Sequence, residues 1–120
     1  MSSRRVPQRG DVYWIDPNPV AGREMLDRHR FVVVTPVEIN KLGVSMTVPV
    51  TSGGAFARLK GLTVPIVGSD TTGVAVCHQA RSFDIQARVA AGSARYIESL
   101  DAVTTDEIVG RLLSVLDPDQ

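Results

Sequence analysis

Arg23, Arg28, His29 and Arg30 fall within eight residues of the stretch "GREMLDRHRFVVVTP", immediately ahead of the apolar run Phe31 to Val34. Four cationic or potentially cationic groups at the mouth of a buried strand suit an anion. An arginine fork binds a phosphate through two N–H groups, and a guanidinium at the start of a strand is fixed in position. His29 has an arginine on either side, and like charge favours its neutral imidazole, a proton acceptor near pH 7. Glu24 is a second candidate, either as a base or as the partner that orients an arginine. A solvated, charged loop leading into a strand accounts for the same residues, and the local pattern leaves both readings open.

Two further stretches could contribute. In "PVTSGG", Pro49 to Gly54, the hydroxyls of Thr51 and Ser52 precede two glycines whose backbone allows close approach of a ligand. In "VCHQAR", Val76 to Arg81, the polar groups of His78, Gln79 and Arg81 follow a buried strand. Each has a plain alternative, an ordinary strand-ending turn and a hydrogen-bonded histidine. Cys77, His78 and His29 make no zinc spacing, and adjacent residues of a strand face opposite ways. No metal or cofactor is therefore expected, and the chain contains no P-loop, dinucleotide fingerprint or nucleophile elbow.

The elements that must position these groups are short. "DVYWID" is rich in aromatic and β-branched residues and is closed by Pro17-Asn18-Pro19, which predicts a strand. Further strands are predicted over residues 31–35, 44–50, 62–67 and 73–77, with one helical turn over 37–42. Pro49 argues that its strand lies at an edge or carries a bulge. Another strand is predicted over about 88–97, after a bend at Asp84. The one long helix is terminal, with a capping box from Thr104 to Glu107 and an apolar stripe of Val109, Leu112, Leu113 and Leu116. Five to seven short strands followed by one helix predict a small antiparallel barrel or half-barrel with a helix packed on it.

The 120 residues fit a single domain, 1–120, able to bury a core without staples. A single cysteine excludes an internal disulfide framework, the apolar runs are too short to span a membrane, and no apolar segment follows the N-terminal arginines. These features predict a cytoplasmic protein. The net charge is zero, but residues 1–95 carry 12 basic against 7 acidic side chains, and residues 96–120 carry 1 against 6. A basic body with an acidic tail points to a polyanionic or acidic partner for the body.

"RGDVYWIDPNPVAGREM" resembles the opening of the MazF/PemK/Kid family of toxins from toxin–antitoxin modules. "VVVTP", "VPVTSGGAFAR", "TTGVAVCHQARSFDIQAR" and "EIVGRLLSVL" continue the likeness in order, from about Arg9 to Leu116, nearest to the PemK/Kid branch. The resemblance implies an SH3-like barrel, shared with the gyrase poison CcdB, whose core covers about 9–116. It also implies a homodimer, a cognate antitoxin with a disordered C-terminal segment, and a metal-independent endoribonuclease acting on single-stranded RNA. The family chemistry is attack of a ribose 2′-OH on the adjacent phosphorus, leaving a 2′,3′-cyclic phosphate and a 5′-OH.

That likeness assigns roles to particular residues. Glu24 matches the Gly-x-Glu glutamate, and Thr51 and Ser52 match the hydroxyl residues, the threonine contacting the scissile phosphate. The family's catalytic arginine falls on His29, with Arg30 in place of the proline that follows it. Where the PemK/Kid branch has a histidine after the loop glycine, this chain has Arg23, and its later Arg-x-Asp becomes Val76-Cys77-His78. The expected catalytic set is thus His29, Thr51, Glu24, Arg28 and Arg30, with Arg23, Ser52, His78, Gln79 and Arg81 binding RNA. Because positions 28 and 30 share one strand face and 29 takes the other, either His29 or the arginines point inward. Two alternatives follow from the exchanges: a catalytically weak or inactive barrel that binds RNA and antitoxin, and a CcdB-like poison of a protein target.

Overall fold

A computed structural model of the chain describes residues 5–17, 29–52 and 61–119. Seven strands form one antiparallel sheet: β1 (Asp11–Ile15), β2 (His29–Val33), β3 (Ser45–Thr51), β4 (Thr63–Val67), β5 (Thr72–Val76), β6 (Arg81–Phe83) and β7 (Ala94–Ser99). Their spatial order is β4-β5-β3-β2-β1-β7, with β6 paired to the first half of β3. Among the described residues three α-helices accompany them: α1 (Val37–Asn40), α2 (Ile85–Ala90) and α3 (Ala102–Leu116). This is the mainly β architecture with a C-terminal helix that the strand pattern predicts.

Alternation divides the sheet into two packed faces. Val12, Val32, Val48, Val50, Val64 and Ala75 face one way and meet Ile108 and Leu112 of α3. Tyr13, Ile15, Phe31, Val33 and Phe83 face the other way and pack with Ile85 of α2. The period of two thus buries both faces, which is why the strands read as nearly continuous apolar runs.

Four expectations are corrected. β3 is not an edge: it pairs β2 along one side and β6 and β5 in turn along the other. Pro49 is accommodated because it falls between the β6 pairing at 45–47 and the β5 pairing at 50–51, so only Phe31 is its partner. The strand expected over 88–97 is a helix followed by a later strand, because the Asp84 carboxylate accepts from Ala87 N (3.0 Å) and caps α2. Residues 77–83 hold a 3-10 turn, Cys77–Gln79, and the short β6. The N-cap of α3 is Asp101, which accepts from Thr104 N at 2.7 Å, and not Thr104. The helix starts three residues earlier than expected, and separately its buried face is Thr105, Ile108 and Leu112, with Leu113 and Leu116 50% and 69% exposed.

The two edges of the sheet are joined through side chains. Glu98 of β7 accepts from Ser69 N, Ser69 Oγ and Asp70 N, each at 2.9 Å, in the turn between β4 and β5. A Cβ on Gly68 would lie 2.7 Å from that carboxylate, so a side chain there would displace the Glu98 carboxylate from this position. On the β1 side, Arg5 forks onto the buried Asp11 carboxylate (2.9 and 3.0 Å) and lies over the Tyr96 ring, pinning the N-terminal segment to β7.

Candidate active site

His29 begins β2 and Thr51 ends β3. The register pairs Arg30 with Val50 and Phe31 with Pro49, so His29 and Thr51 form the next rung and share a face with Phe31 and Pro49. Both are half-buried, and Ser52 follows exposed. The imidazole meets the Phe31 ring edge-on, with centroids 6.5 Å apart, and Phe31 meets Phe83 in the same way at 5.1 Å. The apolar strand therefore supplies a rigid floor for the histidine.

Thr51 is held from the side by β5. Gly73, at φ +134°, pairs beside it so closely that a Cβ would sit 2.1 Å from the Thr51 carbonyl oxygen. Only glycine permits both that dihedral and that approach. Thr51 pairs with Val74, the next residue of β5.

Arg30 takes the opposite face from His29. Its Nη1 donates to the Asp70 carbonyl and to Thr71 Oγ1 (2.9 Å), and its Nη2 lies 3.7 Å from the Asp70 carboxylate. The fold therefore unites His29 with Thr51 and separates Arg30 from both. Arg23, Glu24 and Arg28 lie outside the described residues.

Further along the shared face, Arg81 stands opposite Thr47. That rung lies four residue steps along β3 from Thr51, roughly 13 Å. The Arg81 and Arg88 guanidiniums lie 5.1 and 4.9 Å from the Phe83 ring centroid, and Arg88 Nη1 donates to the Asp16 carbonyl at 3.0 Å. Two cations are thus stacked on one ring beyond the His29–Thr51 rung. His78 and Gln79 occupy the 3-10 turn, which packs against α3, the helix covering the opposite face from His29. Among the described residues no three His, Cys, Asp or Glu side chains converge as metal ligands.

Sequence reasoning missed Asp70, Thr71, Gly73 and Arg88. "GSDTTG" signals a turn and no more, and nothing local indicates that this turn reaches β2 and β7. Arg88 was hidden by the misplaced strand.

A single antiparallel sheet with its edges joined through Glu98 and a helix across one face defines a small, mainly β protein of the half-barrel kind. The family model for the PemK-like, MazF-like toxin of type II toxin–antitoxin systems matches residues 8–116, and the chain belongs to that family. Endoribonuclease PemK of Escherichia coli is 36% identical over 112 residues, covering 91% of this chain and 81% of that protein. Endoribonuclease toxin ChpB of Escherichia coli is 36% identical over 86 residues, covering 69% and 74%. In structure, MazF from Deinococcus radiodurans superposes with a TM-score of 0.78 at 27% identity, covering 93% of this chain and 97% of that one. The same protein in its MazE–MazF complex superposes at 0.73. Among the described residues, no helix is long and apolar enough to cross a membrane.

Proposed function

We propose that this chain is the toxin of a toxin–antitoxin module and an endoribonuclease that cleaves single-stranded RNA by 2′-OH transphosphorylation. The observation that carries the reading is the His29–Thr51 rung, in a chain of this family whose relatives PemK and ChpB are endoribonucleases. His29 accepts the 2′-OH proton as the 2′-oxygen bonds to phosphorus. Thr51 donates to a non-bridging oxygen, where charge accumulates, and the P–O5′ bond breaks with the 5′-oxygen taking a proton. On the family likeness Glu24, Arg23 and Arg28 take part in the same chemistry, with Ser52 and Arg81 holding the flanking RNA. No metal enters this scheme, since proton transfer and charge stabilisation both come from side chains. Dependence on the 2′-OH confines the reaction to RNA.

The same reading makes the protein a single cytoplasmic toxin domain with its core over about 9–116. It acts as a homodimer, silenced by an antitoxin whose disordered acidic segment folds over the RNA surface. The MazE–MazF complexes among its structural relatives support the antitoxin. His29→Ala is expected to slow cleavage of a single-stranded RNA by about 100-fold or more, the usual weight of a general base. Unchanged cleavage would remove His29 from the mechanism and return Arg28 and Arg30 to first place. Salt-sensitive RNA binding without cleavage would instead identify a binding barrel, and blocked DNA supercoiling with intact RNA a poison of a protein target.

A further inference from the structure

The turn between β4 and β5 is gripped from two sides. From β7, Glu98 accepts Ser69 N, Ser69 Oγ and Asp70 N. From β2, Arg30 donates to the Asp70 carbonyl and Thr71 Oγ1. Asp70 links the two: its N–H donates to Glu98 and its carbonyl accepts from Arg30, while the hydroxyl of Thr71, 1% exposed, also accepts from Arg30. The connection Arg30–Asp70–Glu98 thus runs from the start of β2 to the far edge of the sheet. Just past the turn, Gly73 of the same hairpin lies against the Thr51 backbone, where a Cβ would come within 2.1 Å. One hairpin therefore touches the backbone neighbour of His29 with its turn and Thr51 itself with its flank.

We propose that the β4–β5 hairpin is the positioning device of the His29–Thr51 site, and that Arg30 is a positioning residue acting through Thr71 and Asp70, not a ligand of the scissile phosphate. The catalytic half of this inference rests on the nuclease reading above. His29 is the first residue of β2 and pairs with Ile15 of β1, next to Arg30. The guanidinium anchors residue 30 to a turn that is itself clasped to β7, so the imidazole is presented at a fixed distance from Thr51. Small losses of placement between a base and a phosphate-binding hydroxyl cost large factors in rate.

The test compares wild type with Thr71→Val, Arg30→Met and the double variant, and adds Ile108→Val, a core change under α3, as a destabilised control. Two readouts are taken: the ring carbon–proton NMR resonances of His29, assigned by their loss in His29→Ala, and single-turnover cleavage of a single-stranded RNA oligonucleotide. Thr71→Val is expected to shift the His29 resonances and to lower the cleavage rate constant about 10-fold or more with KM little changed. The double variant should be no slower than Arg30→Met alone, and Thr71→Ser, which keeps the hydroxyl, should restore both readouts. Ile108→Val should lower Tm and move neither. If Thr71→Val does not fold, Arg30→Met carries the same test, since it must move the His29 resonances.

Unmoved His29 resonances in both variants overturn the positioning role, whatever the cleavage rates. A rate loss confined to Arg30→Met, with Thr71→Val at wild-type rate, overturns it too and makes Arg30 the phosphate ligand. Shifted resonances in a protein that cleaves no RNA uphold the positioning of His29 by the hairpin and overturn the nuclease reading.

Discussion

The residue with the least side chain imposes the tightest local constraint. Gly73 combines φ +134° with a 2.1 Å approach to the Thr51 carbonyl, so any side chain there must displace either β5 or Thr51. Gly73→Ala is expected to destabilise the protein by about 1–3 kcal/mol from backbone strain alone, and to depress RNA cleavage further than that loss explains. Denaturant melts read beside initial rates check both. Cys77 makes the opposite case, a reactive residue type rendered inert. Burial pushes its thiol pKa up to about 11, and its side chain is fully enclosed beneath α3. Its reaction with a disulfide reagent at pH 8 should therefore be negligible in the native protein and complete in denaturant. A fast native reaction would mean that α3 opens readily.

Among the elements, the turn clasped by Glu98 has a pH signature. Burial raises the Glu98 pKa, but hydrogen bonds from Thr71, Ser69 and Asp70 outweigh it and hold the carboxyl below its ordinary 4.5. A carboxylate with a depressed folded pKa contributes stability that is complete above the unfolded value and is lost as pH falls through the folded one. Glu98→Gln should thus lower Tm at pH 7, and the gap from wild type should narrow as pH falls below 4.5 through the folded carboxyl's depressed pKa. A gap independent of pH would show that the carboxylate charge plays no part in joining the sheet edges. Strands were legible in sequence wherever apolar β-branched runs met Pro or Gly, as in β1, β4 and β5. The region 77–99 was not, because Asp84 acts as a cap only through its neighbour Ala87 N, and three-residue β6 has no periodicity to detect. In α3 a plausible capping box at Thr104 competed with Asp101, and the stripe that packs on the sheet is Thr105, Ile108 and Leu112, which leaves Leu113 and Leu116 outward.

For the molecule as a whole, chain order hides the site and folding assembles it. His29 and Thr51 are far apart in sequence and become neighbours through the β2–β3 register, which strand alternation foretold only as a choice between His29 and the arginines. The resemblance to MazF/PemK toxins supplied the preference for position 29. The partner of Arg30 was not legible, since residues 70 and 71 meet it only when the sheet curls and closes. The basic excess of residues 1–95 and the stacked Arg81 and Arg88 predict RNA affinity that weakens steeply with salt, measurable by titration of a non-cleavable 2′-deoxy oligonucleotide across salt concentrations. The most direct test of the account is end-group analysis of single-stranded RNA incubated with the purified protein in the presence of a chelator. Fragments bearing 2′,3′-cyclic phosphate and 5′-OH ends, absent when the scissile 2′-OH is replaced by hydrogen and strongly reduced in His29→Ala, are the predicted result. Intact RNA, or 5′-phosphate ends formed only when a divalent metal is restored, would contradict it.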